Sequence, residues 1–144
     1  MKRRILMPQD LKKRCGAVIV DRSRRYMIIL RERSFPIELR RWGIPKGKFK
    51  VGEDADTCIH REVLEEVGID LNKTTHSSLS GVNFQLIMLD KHARDIPLII
   101  DRYGEIEEAM WIKISDVLDW MHHKPGDFNM YTKQNGRSLL KLLP

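Results

Sequence analysis

The chain has 144 residues, 42% of them apolar and 32% charged, which fits one ordinary globular domain and excludes a disordered or fibrous chain. Net charge is +6 but unevenly spread: residues 1–50 hold 16 Lys/Arg against 4 Asp/Glu, and residues 51–144 hold 10 against 16. A basic half and an acidic half predict a polyanionic ligand on one side and a cation on the other.

The N-terminal "MKRRILMPQDLKKR" is basic but lacks the sustained apolar stretch and small-residue cleavage site of a secretory signal. "CGAVIVD" (Cys15 to Asp21) and "YMIILRER" (Tyr26 to Arg33) are aliphatic and β-branched, and the intervening "RSRR" predicts a hairpin. "RRWGIPKGKFKVGE" is punctuated by glycine and proline and reads as a structured loop with a short extended piece. From Asp54 to Val67 the pattern turns helical. Asp54 suits the N-cap, Ile59, Val63 and Val67 recur every fourth residue, and Gly68 suits a left-handed C-terminal cap.

"GVNFQLIML" (Gly81 to Leu89), "IPLII" (Ile96 to Ile100) and "IEEAMWIKI" (Ile106 to Ile114) read as strands. Ser115 is a candidate cap for a short helix, "DVLDWMHH", whose His122 and His123 read as a solvated helix end. "QNGRSLLKLL" reads as a last helix with its leucines partly buried. Strands among helices predict a mixed α/β layered fold. With no repeat, low-complexity tract or linker, residues 1–144 are read as a single domain. Runs such as "LIML" and "PLII" are too short to span a membrane. A cytoplasmic location is expected, with Cys15 and Cys58 both reduced.

The most informative stretch is "REVLEEVGI", Arg61 to Ile69. At 100° per residue, Glu62, Glu65 and Glu66 share one helix stripe, beside the apolar stripe of Ile59, Val63 and Val67. Each like-charge pair at this spacing costs about 0.2–0.5 kcal/mol when exposed. A bound Mg²⁺ or Mn²⁺ reverses that sign, because such ions take hard oxygen ligands. These residues alone fit an ordinary acidic face better than a metal site.

The surrounding sequence separates the two. "GKFKVGEDADTCIHREVLEEVGI" resembles the Nudix box, G-x5-E-x7-R-E-U-x-E-E-x-G-U with U aliphatic. Gly47, Glu53, Arg61, Glu62, Val63, Glu65, Glu66, Gly68 and Ile69 fill every defined position. The resemblance to Nudix hydrolases implies an α/β/α sandwich with a mixed β-sheet. It also implies divalent-metal-dependent cleavage of a phosphoanhydride in a nucleoside diphosphate linked to another group. By position it makes Glu62, Glu65 and Glu66 the expected metal ligands, with the Gly47 carbonyl joining them. Glu53 and Arg61 are expected to anchor the loop to the helix, and Gly68 to end that helix. Cys58 falls at an unspecified box position and reads as packing.

The general base is open between Glu65 or Glu66 on the helix and a glutamate outside the box. For the latter, "GEIEEAMW" offers Glu105, Glu107 and Glu108, and Glu105 stands at an offset from Trp111 similar to one in diadenosine polyphosphate hydrolases. "WGIPKGK" (Trp42 to Lys48) is similar to the loop of mRNA-decapping Nudix enzymes, and its Pro-Lys-Gly core to that of diadenosine polyphosphate hydrolases. Lys46 and Lys48, with Arg41 and Trp42, are therefore the candidate substrate-binding residues. Tyr26, Phe35 and Phe49 are further candidates for stacking a base. The expected substrate is a dinucleoside polyphosphate or similar highly charged nucleotide. The alternatives are a capped RNA 5′ end, an inositol pyrophosphate, or mere nucleotide binding by an inactive module. Retention of all the box glutamates argues against the last.

Overall fold

The computed structural model describes residues 13–33 and 40–144. Phe35 and the first twelve residues, on which the reading of the N-terminal segment rests, lie outside the described residues. The two aliphatic runs form β1 (Arg14–Val20) and β2 (Tyr26–Glu32), which meet antiparallel at Val20 and Met27. Beyond that pair they take different partners. β1 pairs antiparallel with β4 (Lys46–Lys48) and parallel with β6 (Phe84–Leu89). β2 pairs antiparallel with β3 (Trp42–Gly43) and along its whole length with β7 (Ile106–Lys113). β5 (His76–Ser80) adds to the free side of β6, giving a mixed sheet of seven strands.

Strand alternation divides the apolar side chains between two faces. Ala17, Ile19, Ile28 and Leu30 pack under α1 (Ala55–Val67) through its Ile59, Val63 and Val67. Val18, Val20, Met27 and Ile29 point the other way. Val117 and Met121 of α2 (Ile114–His123) and Leu139 and Leu140 of α3 (Met130–Leu140) cover them. Helices on both faces of a mixed sheet make an α/β/α sandwich. No helix among the described residues is long and apolar enough to cross a membrane.

The caps of α1 are those the sequence predicts. The Asp54 carboxylate accepts the Thr57 N–H at 2.8 Å, and Gly68 ends the helix with φ 76°. A Cβ at Gly68 would come within 2.7 Å of Ile99, so the close approach of that neighbour also demands glycine.

Three expectations are corrected, and one strand, β5, is added to them. Ile96 to Ile100 form no strand. The Ile99 N–H donates to the Val67 carbonyl at 2.9 Å, the Ile96 carbonyl accepts the Trp111 indole N–H at 3.0 Å, and Pro97 has no N–H to give a ladder. These residues instead cross the end of α1 as an irregular strap. β5, "HSSLS", was not predicted, because serines give little apolar alternation and the strand pairs only along β6. Ser115 lies inside the first turn of α2, which runs directly out of β7 without a side-chain cap. α3 begins at Met130 rather than near Gln134, because the Asn129 side chain caps it by accepting the Thr132 N–H at 2.9 Å.

The cysteines are also corrected. Cys15 on β1 and Cys58 on α1, both fully buried, are joined in a disulfide with Cα atoms 6.1 Å apart. Both project into the core between sheet and helix, and their separation of 43 residues hides that meeting from the sequence.

Candidate active site

The box loop and helix are tied together by one guanidinium. Arg61 donates to both carboxylate oxygens of Glu53, at 2.7 and 2.8 Å, and to the Lys48 carbonyl at 2.9 Å. Its remaining nitrogen donates to Glu62 at 2.6 Å and approaches Glu65 at 3.4 Å. The bond from Arg61, helped by the Lys50 N–H, pulls the Glu53 carboxyl down to a pKa of about 2. Glu53 and Glu62 raise the Arg61 pKa in return, against its partial burial.

β4 continues this arrangement. Its Gly47 pairs with Cys15 on β1, and a side chain there would overlap the Glu62 carboxyl. Glycine is needed for that approach rather than for an unusual backbone angle. One residue earlier, the Lys46 N–H donates to Glu66 at 3.0 Å. Glu66 is only 6% exposed. Burial, then the charge of Glu62, pushes its pKa up to about 9, with the Lys46 N–H acting in the opposite direction. Burial also raises Glu62, with Glu65 and Glu105 adding repulsion against the pull of Arg61.

Lys46, Gly47, Arg61, Glu62, Glu65 and Glu66 line a cleft of about 820 Å³, which also holds Arg14, Glu32, Phe49, Asp101 and Lys48. It sets the half-buried Glu62 and the buried Glu66 among the cations Arg14, Lys46, Lys48 and Lys50. Among the described residues, no three His, Cys, Asp or Glu side chains already converge as metal ligands. Glu62 and Glu65 are turned toward Arg61, which balances part of their charge. The donor set nevertheless fits a hard divalent cation. Carboxylates with raised pKa share a cleft, and the backbone at Gly47 comes close to one of them.

The glutamates outside the box separate. Glu105 lies just before β7 and lines the cleft. Glu107 pairs with Arg31 at 2.7 Å and with Arg40, and Glu108 pairs with Arg31 at 3.3 Å. Trp42 is not among the residues lining the cleft. Its ring packs edge-on against Trp120 at 5.7 Å and carries Arg31 over its face at 4.9 Å. Arg41 also lies outside the lining, next to Arg40, whose carbonyl accepts its Nη1–H at 3.1 Å. Phe49 lines the cleft with Lys13 over its ring, and Tyr26 lies at the other end of β2. His122 and His123 are exposed at the end of α2.

Sequence reasoning overlooked Glu32. It ends β2, bonds the Lys46 ammonium at 3.0 Å and adds to the negative field at Glu66. Strand alternation carried the signal, since Ile28, Leu30 and Glu32 share the face toward α1.

The NUDIX domain family matches residues 10–133 of the chain. The chain belongs to the NUDIX family. It is 27% identical over 123 residues to "Nudix hydrolase 7" of Arabidopsis thaliana, covering 78% of this chain and 43% of that protein. It is 30% identical over 113 residues to "NAD-capped RNA hydrolase NudC" of Stutzerimonas stutzeri, covering 72% of this chain and 41% of that one. The NUDIX chain thus spans less than half the length of these curated relatives. Among solved structures, a C. elegans Ap4A hydrolase binary complex matches with TM-score 0.58 and 19% identity, over 89% of this chain and 91% of that one. The M. smegmatis Nudix hydrolase RenU matches with TM-score 0.63 and 12% identity, over 91% and 86%. At these identities the structural matches speak for the fold.

Proposed function

We propose that the cleft hydrolyses a phosphoanhydride bond in a dinucleoside polyphosphate or a similarly charged nucleotide, with Mg²⁺ or Mn²⁺ as cofactor. The observation that carries this reading is the buried Glu66 beside Glu62, in a cleft also lined by Arg14, Lys46 and Lys48. Glu62, Glu65, Glu66 and the Gly47 carbonyl are the groups that would hold the ion. The chemistry such an ion supplies is neutralisation of phosphate charge and acidification of water.

The chain's own residues do the rest. Lys46 and Lys48 attract the phosphate chain and oppose its repulsion from the glutamates of the cleft. Arg61 and Glu53 fix the loop against α1, so the spacing of Gly47 and Glu62 is set before substrate arrives. Glu66 or Glu65 accepts the proton of the attacking water. Glu105, which lines the cleft, is the base available from outside the box.

A second reading, the nucleotide-capped 5′ end of RNA, is favoured by the similarity to proteins named NAD-capped RNA hydrolase. Both substrates present the same phosphoanhydride to the cleft. The deciding experiment is a mass-resolved screen in Mg²⁺ of diadenosine polyphosphates, NAD-capped and methylated-cap RNA, inositol pyrophosphates and nucleoside diphosphate sugars. Release of mononucleotide products from a dinucleoside substrate supports the first reading. Tight binding with no product from any compound would make the protein a binding module instead.

A further inference from the structure

The hairpin turn joining β1 to β2 lies at the opposite end of the sheet from the candidate active site. Tyr26 begins β2 and Glu32 ends it, about 20 Å apart at roughly 3.3 Å per residue. A second cleft, of about 630 Å³, opens at the Tyr26 end. Arg25, Arg94 and Lys113 line it, with Tyr26 and Trp111 as aromatic walls. Its one carboxylate, Asp21, is 1% exposed and fully engaged. It accepts the Ser23 hydroxyl at 2.7 Å, the Ala93 N–H at 2.9 Å and the Tyr26 N–H at 3.4 Å. Asp21 therefore staples the turn to the segment around Ala93 and leaves the cations to face outward.

Among the described residues, Arg24, Arg25, Arg94 and Lys113 have no carboxylate within ion-pair distance. Arg24 stands beside this lining, in the turn itself. It holds φ 64°, the left-handed conformation in which glycine or asparagine is favoured and arginine is strained. The turn demands that conformation, since the Arg24 N–H donates to the Asp21 carbonyl at 3.0 Å and the Asp21 N–H to the Tyr26 carbonyl at 3.1 Å, and glycine would meet it without strain.

We propose that this hairpin-end cleft is a second binding site, for the phosphodiester backbone of single-stranded RNA. Several cations spread around an open cleft suit a polymer with a charge on every unit better than a single phosphate. The half-buried Tyr26 ring offers a face for one base, and stacking of that kind tolerates any sequence. The site deepens the capped-RNA reading, on which its biological role rests. It would hold the chain behind a 5′ end whose phosphoanhydride lies in the first cleft.

The test is fluorescence anisotropy of a labelled, uncapped single-stranded RNA with the whole protein in EDTA, so that failure of the catalytic reading leaves the result unaffected. Wild-type binding should weaken steeply with salt. Replacing Arg25, Arg94 and Lys113 together by Gln should reduce affinity about tenfold or more and flatten the salt slope by about 2, from about 0.7 per lost contact. Tyr26→Leu should weaken binding without changing the slope. Arg24→Gly, which the backbone accepts more readily than the native residue, should weaken binding while the thermal midpoint holds or rises. Unchanged binding in both the triple variant and R24G overturns the proposal. So does an equal loss when Lys124, Lys133 and Lys141 on the other side of the fold are replaced, which would mean diffuse attraction. Capture of phosphatidylserine vesicles without RNA binding would assign the cations to a membrane surface and overturn it equally.

Discussion

The two ends of the sheet solve opposite electrostatic problems. At the box end, carboxylates crowd together and two of the basic groups among them are bonded to carboxylates, Arg61 to three glutamates and Lys46 to Glu32. At the hairpin end, the cations have no carboxylate within ion-pair distance among the described residues, and the carboxylate lining their cleft, Asp21, is turned inward to hold the turn. The comparison teaches that charge density along a chain is a poor guide to a site. What matters is which charges the fold leaves uncompensated, and a buried carboxylate with a raised pKa is one sign of that.

The largest expected effect lies at the box end. Glu66→Gln should lower kcat by about 10³-fold or more while the thermal midpoint stays near wild type, as loss of a general base or ligand predicts. Wild-type turnover in saturating Mg²⁺ would remove Glu66 from the chemistry. Next is the disulfide that backs the same end. Replacing Cys15 by Ala and Cys58 by Ser should cost up to about 4 kcal/mol in denaturant unfolding, as expected for a link across 43 residues. Mass spectrometry after alkylation without reductant should find neither cysteine alkylated, and after reduction both.

Gly47→Ala would drive a methyl group into the Glu62 carboxyl and should lower kcat by about 10²-fold through misplacement alone. Gly126→Ala, where nothing lies within 4 Å, is the matched control and should be silent.

Smaller effects come from titration. With its pKa near 9, the Glu66 carboxyl is protonated at neutral pH in the ion-free protein. Binding of Mg²⁺ should therefore release a proton, and apparent affinity should rise as pH rises toward 9. Calorimetry in two buffers of different ionisation enthalpy reads this directly. Glu53 behaves in the opposite sense. Its folded pKa is depressed from 4.5 to about 2, so its contribution to stability is present above 4.5 and is lost as pH falls toward 2. Glu53→Gln should flatten that acid limb and leave the hairpin end untouched.

What the sequence made legible was local. The caps and periodicity of α1 act within one helix, so Asp54, Ile59 and Gly68 could be read directly. The spacing of Gly47, Glu53 and Arg61 to Glu66 could be read for the same reason. What it hid was set by tertiary meetings. The Cys15–Cys58 bond, the Glu32–Lys46 pair and the diversion of Glu107 onto Arg31 each join segments far apart in the chain. The 96–100 strap was misread because its apolar composition looks like a strand, while its hydrogen bonds run to Val67 and to an indole. Trp42 was ambiguous because basic neighbours in the chain say nothing about whether a ring packs on Trp120.

The guanidinium of Arg61 lies between the box loop and the acidic stripe of α1. By standing against Glu62 and Glu65, it supplies a built-in counterion, so the chain can complete its fold before encountering any dissolved salt of magnesium or manganese. Chelators should therefore silence such a protein without unfolding it, and adding back the ion should restart it at once rather than after a slow refolding step.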